Sequence, residues 1–174
     1  MLALARGAIT SQLNSIPLQI PPIIPPKLKE KRACFVTLMI NGQLRGCIGH
    51  ILPIQELYKD IMENARAAAF DDSRFPPLTH EELEHLAIEI SVLTIPQPYP
   101  YQSIEGLLDF LSTEKPGVIL SVGPNHATFL PAVWNDIPQP EDFLDQLSLK
   151  AGLRPHAWKQ GAKIQCYHAL TISD

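Results

Sequence analysis

In the stretch Leu44-Arg45-Gly46-Cys47-Ile48-Gly49, a guanidinium and a thiol stand two residues apart, with a glycine between them and another beyond. Regular strand alternation places Arg45, Cys47 and Gly49 on one face and Leu44, Gly46 and Ile48 on the other. Thiolate is the reactive form of cysteine and a neighbouring cation favours it, so Cys47 is a candidate catalytic nucleophile. Arginine recognises carboxylate or phosphate through a planar fork, and glycines leave backbone amides open as further donors. Arg45, Gly46 and Gly49 are therefore candidate ligand-binding residues. The structural alternative makes Cys47 a small packed residue and Arg45 the partner of a carboxylate such as Glu89. One glycine then sits at a bulge with positive φ, and the other admits the alanine-rich end of a helix.

A cysteine nucleophile wants a base, usually histidine. His50 follows the motif, but a continuing strand points it to the face opposite Cys47. His126 is the better candidate, on the condition that two hairpins converge. Glu89 lies inside a strand between Ile88 and Ile90, and a buried carboxylate needs a partner. It is either the acid–base member of a catalytic site with Cys47 or the ion-pair partner of Arg45, Arg66 or Arg74. Asp71, Asp72 and Arg74 read as a turn, with Arg74 also a ligand-binding candidate. The remaining histidines have no metal-ligand spacing, so no metal and no cofactor are expected.

A turn signal and two apolar runs position the motif. Phe35 to Ile40, then Asn41-Gly42, then the motif itself predict a β-hairpin with a type I′ turn. Leu2, Ala5, Ile9 and Leu13 recur at helical spacing. Ile16 to Pro26 holds five prolines, which excludes helix and central strand and suggests an extended arm packed on the body. Pro53 opens a predicted helix with an apolar stripe from Ile54 to Ala69, leaving Glu56, Lys59, Asp60 and Glu63 mostly outside it. Thr79 and Glu82 form a capping-box pair for a short helix through Leu83. Ala87 to Thr94 alternates as a half-buried strand. Ser103 caps a helix over 104–111, and strands follow at 117–122 and 127–130. Pro138 opens a helix ending near Gly152, and 163–170 is a last strand. This order predicts an α+β fold, a largely antiparallel sheet flanked by helices, in a two-lobed single domain.

Composition limits the partners. A net charge of −4 provides no basic field for nucleic acid. No apolar run reaches the roughly 20 residues that span a bilayer. An odd count of 3 cysteines without CxxC spacing fits free thiols in a reducing, cytoplasmic setting, and no signal peptide is read at the N-terminus.

Five further blocks make the pattern specific: ENARAAAFDDSRFPPLT at 63–79, AIEISVLT at 87–94, ATFLPAVW at 127–134, KAGL at 150–153 with Trp158 after it, and the opening helix from Leu2 to Arg6. With LRGCIG, and in this order, the chain resembles the AMMECR-type domain, known in prokaryotes as AmmeMemoRadiSam system protein A. The likeness covers 1–174, with the helix and proline-rich arm at 1–32 and the hairpin, helices and remaining strands at 33–174. It implies a two-lobed α/β body with its characteristic residues near the junction of the lobes. It also implies a genomic setting in prokaryotes beside a Memo-type protein and a radical S-adenosylmethionine enzyme, which makes these expected partners, and it supplies no reaction. Ser73 stands where the family has Pro, and Ala132 where it often has Gln. Three functions follow: thiol chemistry at Cys47 with Arg45 as anchor, binding of a small anionic or peptide ligand in a motif cleft, and non-catalytic docking of those partners.

Overall fold

The computed structural model describes residues 1–174, which divide into two compact units, Met1–Ile95 with Leu170–Asp174, and Pro96–Ala169. The fold is mixed α+β, and each unit is built on its own four-stranded sheet.

The first unit begins with α1 (Leu2–Leu13), which buries Ala5, Ala8 and Ile9. The arm after it carries no strand and touches down in a 3₁₀ turn at Pro26–Lys29. β1 (Cys34–Ile40) and β2 (Gln43–Gly49) form the hairpin. Asn41 and Gly42 both take positive φ at its tip, at 52° and 75°, the requirement of a type I′ turn. Helix α2 (Leu57–Phe70), α3 (His80–Leu83) and β3 (Leu86–Leu93) follow. The sheet order is β2-β1-β3-β8, with β8 at Ala169–Ser173. Val36, Leu38, Ile88 and Ile90 from the strands close a core with Ile61, Ala65 and Ala68 of α2 and Ile9 of α1.

Helix α2 starts four residues later than the Pro53 signal predicts. Leu57 N is bonded to Glu30 O and Glu56 bridges Lys31, so the chain is still extended at Glu56. Tertiary pairing thus takes the first predicted turn, and Ile54 is left exposed. Thr79 and Glu82 form the expected reciprocal capping box.

In the second unit, β4 (Gln97–Pro98), α4 (Ile104–Glu114), β5 (Gly117–Val122), β6 (Asn125–Phe129), α5 (Pro140–Lys150) and β7 (Lys163–Tyr167) give the order β4-β7-β5-β6. The helices pack Leu107, Leu111, Phe143, Leu144 and Leu147 on Val118, Leu120 and Ile164. Trp134 stacks on Phe143 at 3.7 Å and donates to Pro116 O, so it is core. Pro140 rather than Pro138 opens α5. The predicted last strand is two, β7 and β8, broken at His168 and shared between the sheets. An apolar alternation reads the same whether or not the chain changes sheets within it.

Candidate functional site

The hairpin does not alternate regularly. Leu38 opposes Gly46 while Met39 opposes Leu44, so Arg45 is the extra residue of a bulge. A bulge re-aims side chains, and Arg45 turns to the segment after α2. Its Nε and Nη2 donate to the two Glu82 oxygens at 2.7 and 3.0 Å, and Nη2 also donates to Pro76 O at 2.8 Å. The Phe75 ring lies 5.8 Å from its guanidinium carbon. Only 8% of Arg45 is exposed. The Arg45 hydrogen bond, with the Thr79 amide helping and burial opposing, brings the Glu82 carboxyl down to about 2. The expected Arg45–Glu89 pairing is therefore replaced by Arg45–Glu82, and the Arg45 charge is spent inside the fold. The capping-box signal pointed to Glu82, but only as a helix cap.

The glycines serve packing. A Cβ at Gly46 would collide with the Ala68 carbonyl, and one at Gly49 with Phe35 and the Cys34 carbonyl. Gly46 thus admits the alanine-rich end of α2. Neither glycine has positive φ, and the bulge falls on Arg45, which corrects the expectation that a glycine would occupy it.

Cys47 is half-buried. Strand β2 is at the sheet edge, and exposed edges need cover. The cover is the 71–76 turn. Asp72 Oδ2 accepts from Cys47 N at 2.9 Å, and Arg74 Nη2 donates to Cys47 O at 3.3 Å. Arg74 also donates through Nε and Nη2 to both Asp72 oxygens, at 2.9 and 2.6 Å. That bond, more than the Cys47 amide, holds the Asp72 carboxyl far below the usual carboxylate range against the opposing effect of burial. The Arg74 guanidinium is raised first by Asp72, with a smaller charge contribution from Cys47. The cation beside the thiol is thus Arg74. The turn closes with Ser73 in place, through Phe75 N to Asp72 O at 3.0 Å.

The Cys47 side chain lies on the face away from Gly46 and α2. Register puts it beside Thr37, and Thr37 beside Glu89, in one row across three strands. Thr37 Oγ1 donates to Cys47 Sγ at 3.4 Å. Glu89 is half-buried and pairs with none of the three arginines considered for it: Arg66 donates to Gln12, and Arg74 to Asp72. His126 is exposed in β6 of the second unit, with Nδ1 3.3 Å from Pro124 O.

His50 turns toward α2. Its Nδ1 lies 2.7 Å from Asp60 Oδ1. Asp60, expected on the solvent side, is fully buried. It accepts from Cys34 N at 2.9 Å, Asn64 Nδ2 at 3.0 Å and Gln55 Nε2 at 3.2 Å. A carboxylate satisfied by this many donors is stable in a core. Periodicity missed it because its partners come from the two ends of the hairpin, remote in sequence. Burial, with Asp60 adding, pushes the Cys34 thiol up beyond the ordinary range, and burial pushes Cys166 up to about 11.

The fold is shared with known proteins. The AMMECR1 family model matches residues 2–172, and the chain belongs to that family. It is 39% identical over 173 residues to a protein of Thermofilum pendens, spanning 92% of this chain and 81% of that one. A Methanosarcina acetivorans protein is 41% identical over 155 residues, spanning 87% and 76%. The crystal structure of the uncharacterized protein PH0010 from Pyrococcus horikoshii superposes with a TM-score of 0.88 at 34% identity, covering 98% of this chain and 88% of that chain. No helix is long and apolar enough to cross a membrane.

Proposed function

We propose that this AMMECR1-family chain is a binding module whose recognition surface is the row Cys47, Thr37 and Glu89 with Arg74 at its edge, taking a small anionic or peptide ligand. The observation that carries this is Arg74. Asp72 fixes its Nε and Nη2, while its side chain stays 54% exposed, and no hydrogen bond within the chain uses Nη1. A held guanidinium with a free donor is preorganised for a carboxylate. Glu89 offers an opposite charge two strands from Cys47, roughly 10 Å away at the usual strand spacing, and suits a peptide amine. Within the first unit, His50 is committed to Asp60, which favours binding over histidine-assisted thiol chemistry at Cys47.

The test is calorimetric titration with N-acetylated and free-amine tripeptides, each as acid and amide. Binding of the free acid, weakened about tenfold in Arg74→Lys by loss of the fork, supports the reading. Equal affinity of acid and amide defeats it. Covalent capture by Cys47 that disappears in Cys47→Ser would restore the catalytic version.

A second reading, non-catalytic docking of a Memo-type or radical S-adenosylmethionine protein, is favoured by the exposed Ile20, Ile23, Leu52 and Ile54. Ile20 and Ile23 stand three residues apart on the proline-rich arm, and exposed apolar side chains that group together mark interfaces. Co-purification with either partner, lost in Ile23→Asp, would support it.

A further inference from the structure

The second unit holds a cavity of about 650 Å³ beside β7, within the size range of small-molecule sites. Its wall is the segment Pro98–Tyr101. Pro98 pairs with Gln165, and Tyr99 N donates to Ile164 O at 2.8 Å. Pro98 and Pro100 turn their amide-free nitrogens to the open side of this edge strand, and no backbone bond to β7 follows Tyr99. Tyr101 ties the segment back through its hydroxyl to Ala162 O at 3.1 Å. Tyr99 is held by stacking on Phe110, with ring centroids 3.9 Å apart. The wall is therefore apolar, aromatic and fixed before anything binds.

The other lining is polar. Ser121 and Lys163 are direct cross-strand partners, and Gln165 lies two residues on, hence on the same face. All three line the cavity. The Ser121 hydroxyl, Lys163 ammonium and Gln165 amide bond to no other group of the chain. Three polar side chains share the cavity lining with Pro98, Pro100 and Tyr101, which suits an amphiphilic ligand, and Lys163 as the one charge among them favours an acidic one.

We propose that this cavity binds a small planar apolar molecule carrying one acidic group, its ring against Pro98–Tyr101 and its acid on Lys163. The site lies wholly in the second unit and is independent of the surface at Cys47. Amide-resolved NMR titration with 2-naphthoate and its neutral isostere 2-naphthamide tests it. Both probes are expected to shift residues 99, 101 and 162–165 saturably, with naphthoate about tenfold tighter, the scale of one charge-assisted hydrogen bond. Lys163→Met keeps the stem and removes the charge, so naphthoate should fall to the naphthamide affinity, which itself stays unchanged. The exposed position of Lys163 keeps this variant folded. Absence of saturable shifts at these residues, or undiminished naphthoate binding in Lys163→Met, overturns the proposal.

Discussion

Gly46 lies so close against the Ala68 carbonyl of α2 that no side-chain carbon fits between them. Helix α2 is hydrogen-bonded backbone and cannot yield like a flexible side chain. Gly46→Ala is predicted to cost about 2–3 kcal/mol, the scale of core overpacking. Gly7, inside α1 with open space around it, is the control: Gly7→Ala should gain roughly 0.5–1 kcal/mol. Paired urea unfolding curves check both.

Arg45 joins β2 to the capped α3 segment. Arg45→Lys keeps the charge but loses the two-pronged bond to Glu82 and the reach to Pro76. A loss of about 1–3 kcal/mol is predicted, read as a lower denaturant midpoint at unchanged slope. A variant as stable as wild type would show that the fork is dispensable.

Acid stability should follow Glu82 and Asp72. Both carboxyls are depressed in the folded state, so each stabilises the fold fully above its unfolded value. For Glu82 that value is 4.5, and its contribution fades as pH falls toward about 2. Thermal melts from pH 6 to pH 2 should show stability falling through this window. Glu82→Gln should flatten the fall while lowering stability at pH 6.

Among the thiols, Cys47 should react first. Burial pushes both Cys34 and Cys166 up, whereas Cys47 is half-exposed beside Arg74. Brief iodoacetamide treatment of native protein at pH 8, followed by peptide mapping, should find Cys47 modified well ahead of the other two.

Asp60→Ala should be among the most damaging single changes. It strands Cys34 N in the core and takes a partner from His50 and from Asn64 Nδ2, which keeps Cys34 O. The expected loss is about 3 kcal/mol or more, measured by chemical denaturation.

Local signals carried most of the fold. Asn41-Gly42, the Thr79–Glu82 box and Ser103 each act within a few residues, and each forms the predicted feature. The fold class and the family were legible for the same reason. The site was less so. Arg45 and Cys47 were placed on one face because alternation assumes an unbroken ladder, and a bulge is set by what packs on the strand. Asp60 read as a surface residue because its partners arrive from Cys34 and His50. Arg74 looked like a turn residue because its contact with Cys47 depends on which strand is at the edge.

The return of 170–174 to the first unit has a consequence for the order of folding. Ser91 meets Thr171 and Ile88 meets Asp174, so β8 runs antiparallel to β3. The two strands are neighbours in space but are separated in the chain by the whole of the second unit. Closing so long a loop carries an entropic cost that short hairpins avoid, and non-local pairings slow folding. On the ribosome, residues 1–95 emerge with β3 still an open edge, and that edge waits until the whole of 96–169 has been made. The first sheet to begin is therefore the last to be sealed. Until then β3 offers its unpaired edge to any extended chain nearby.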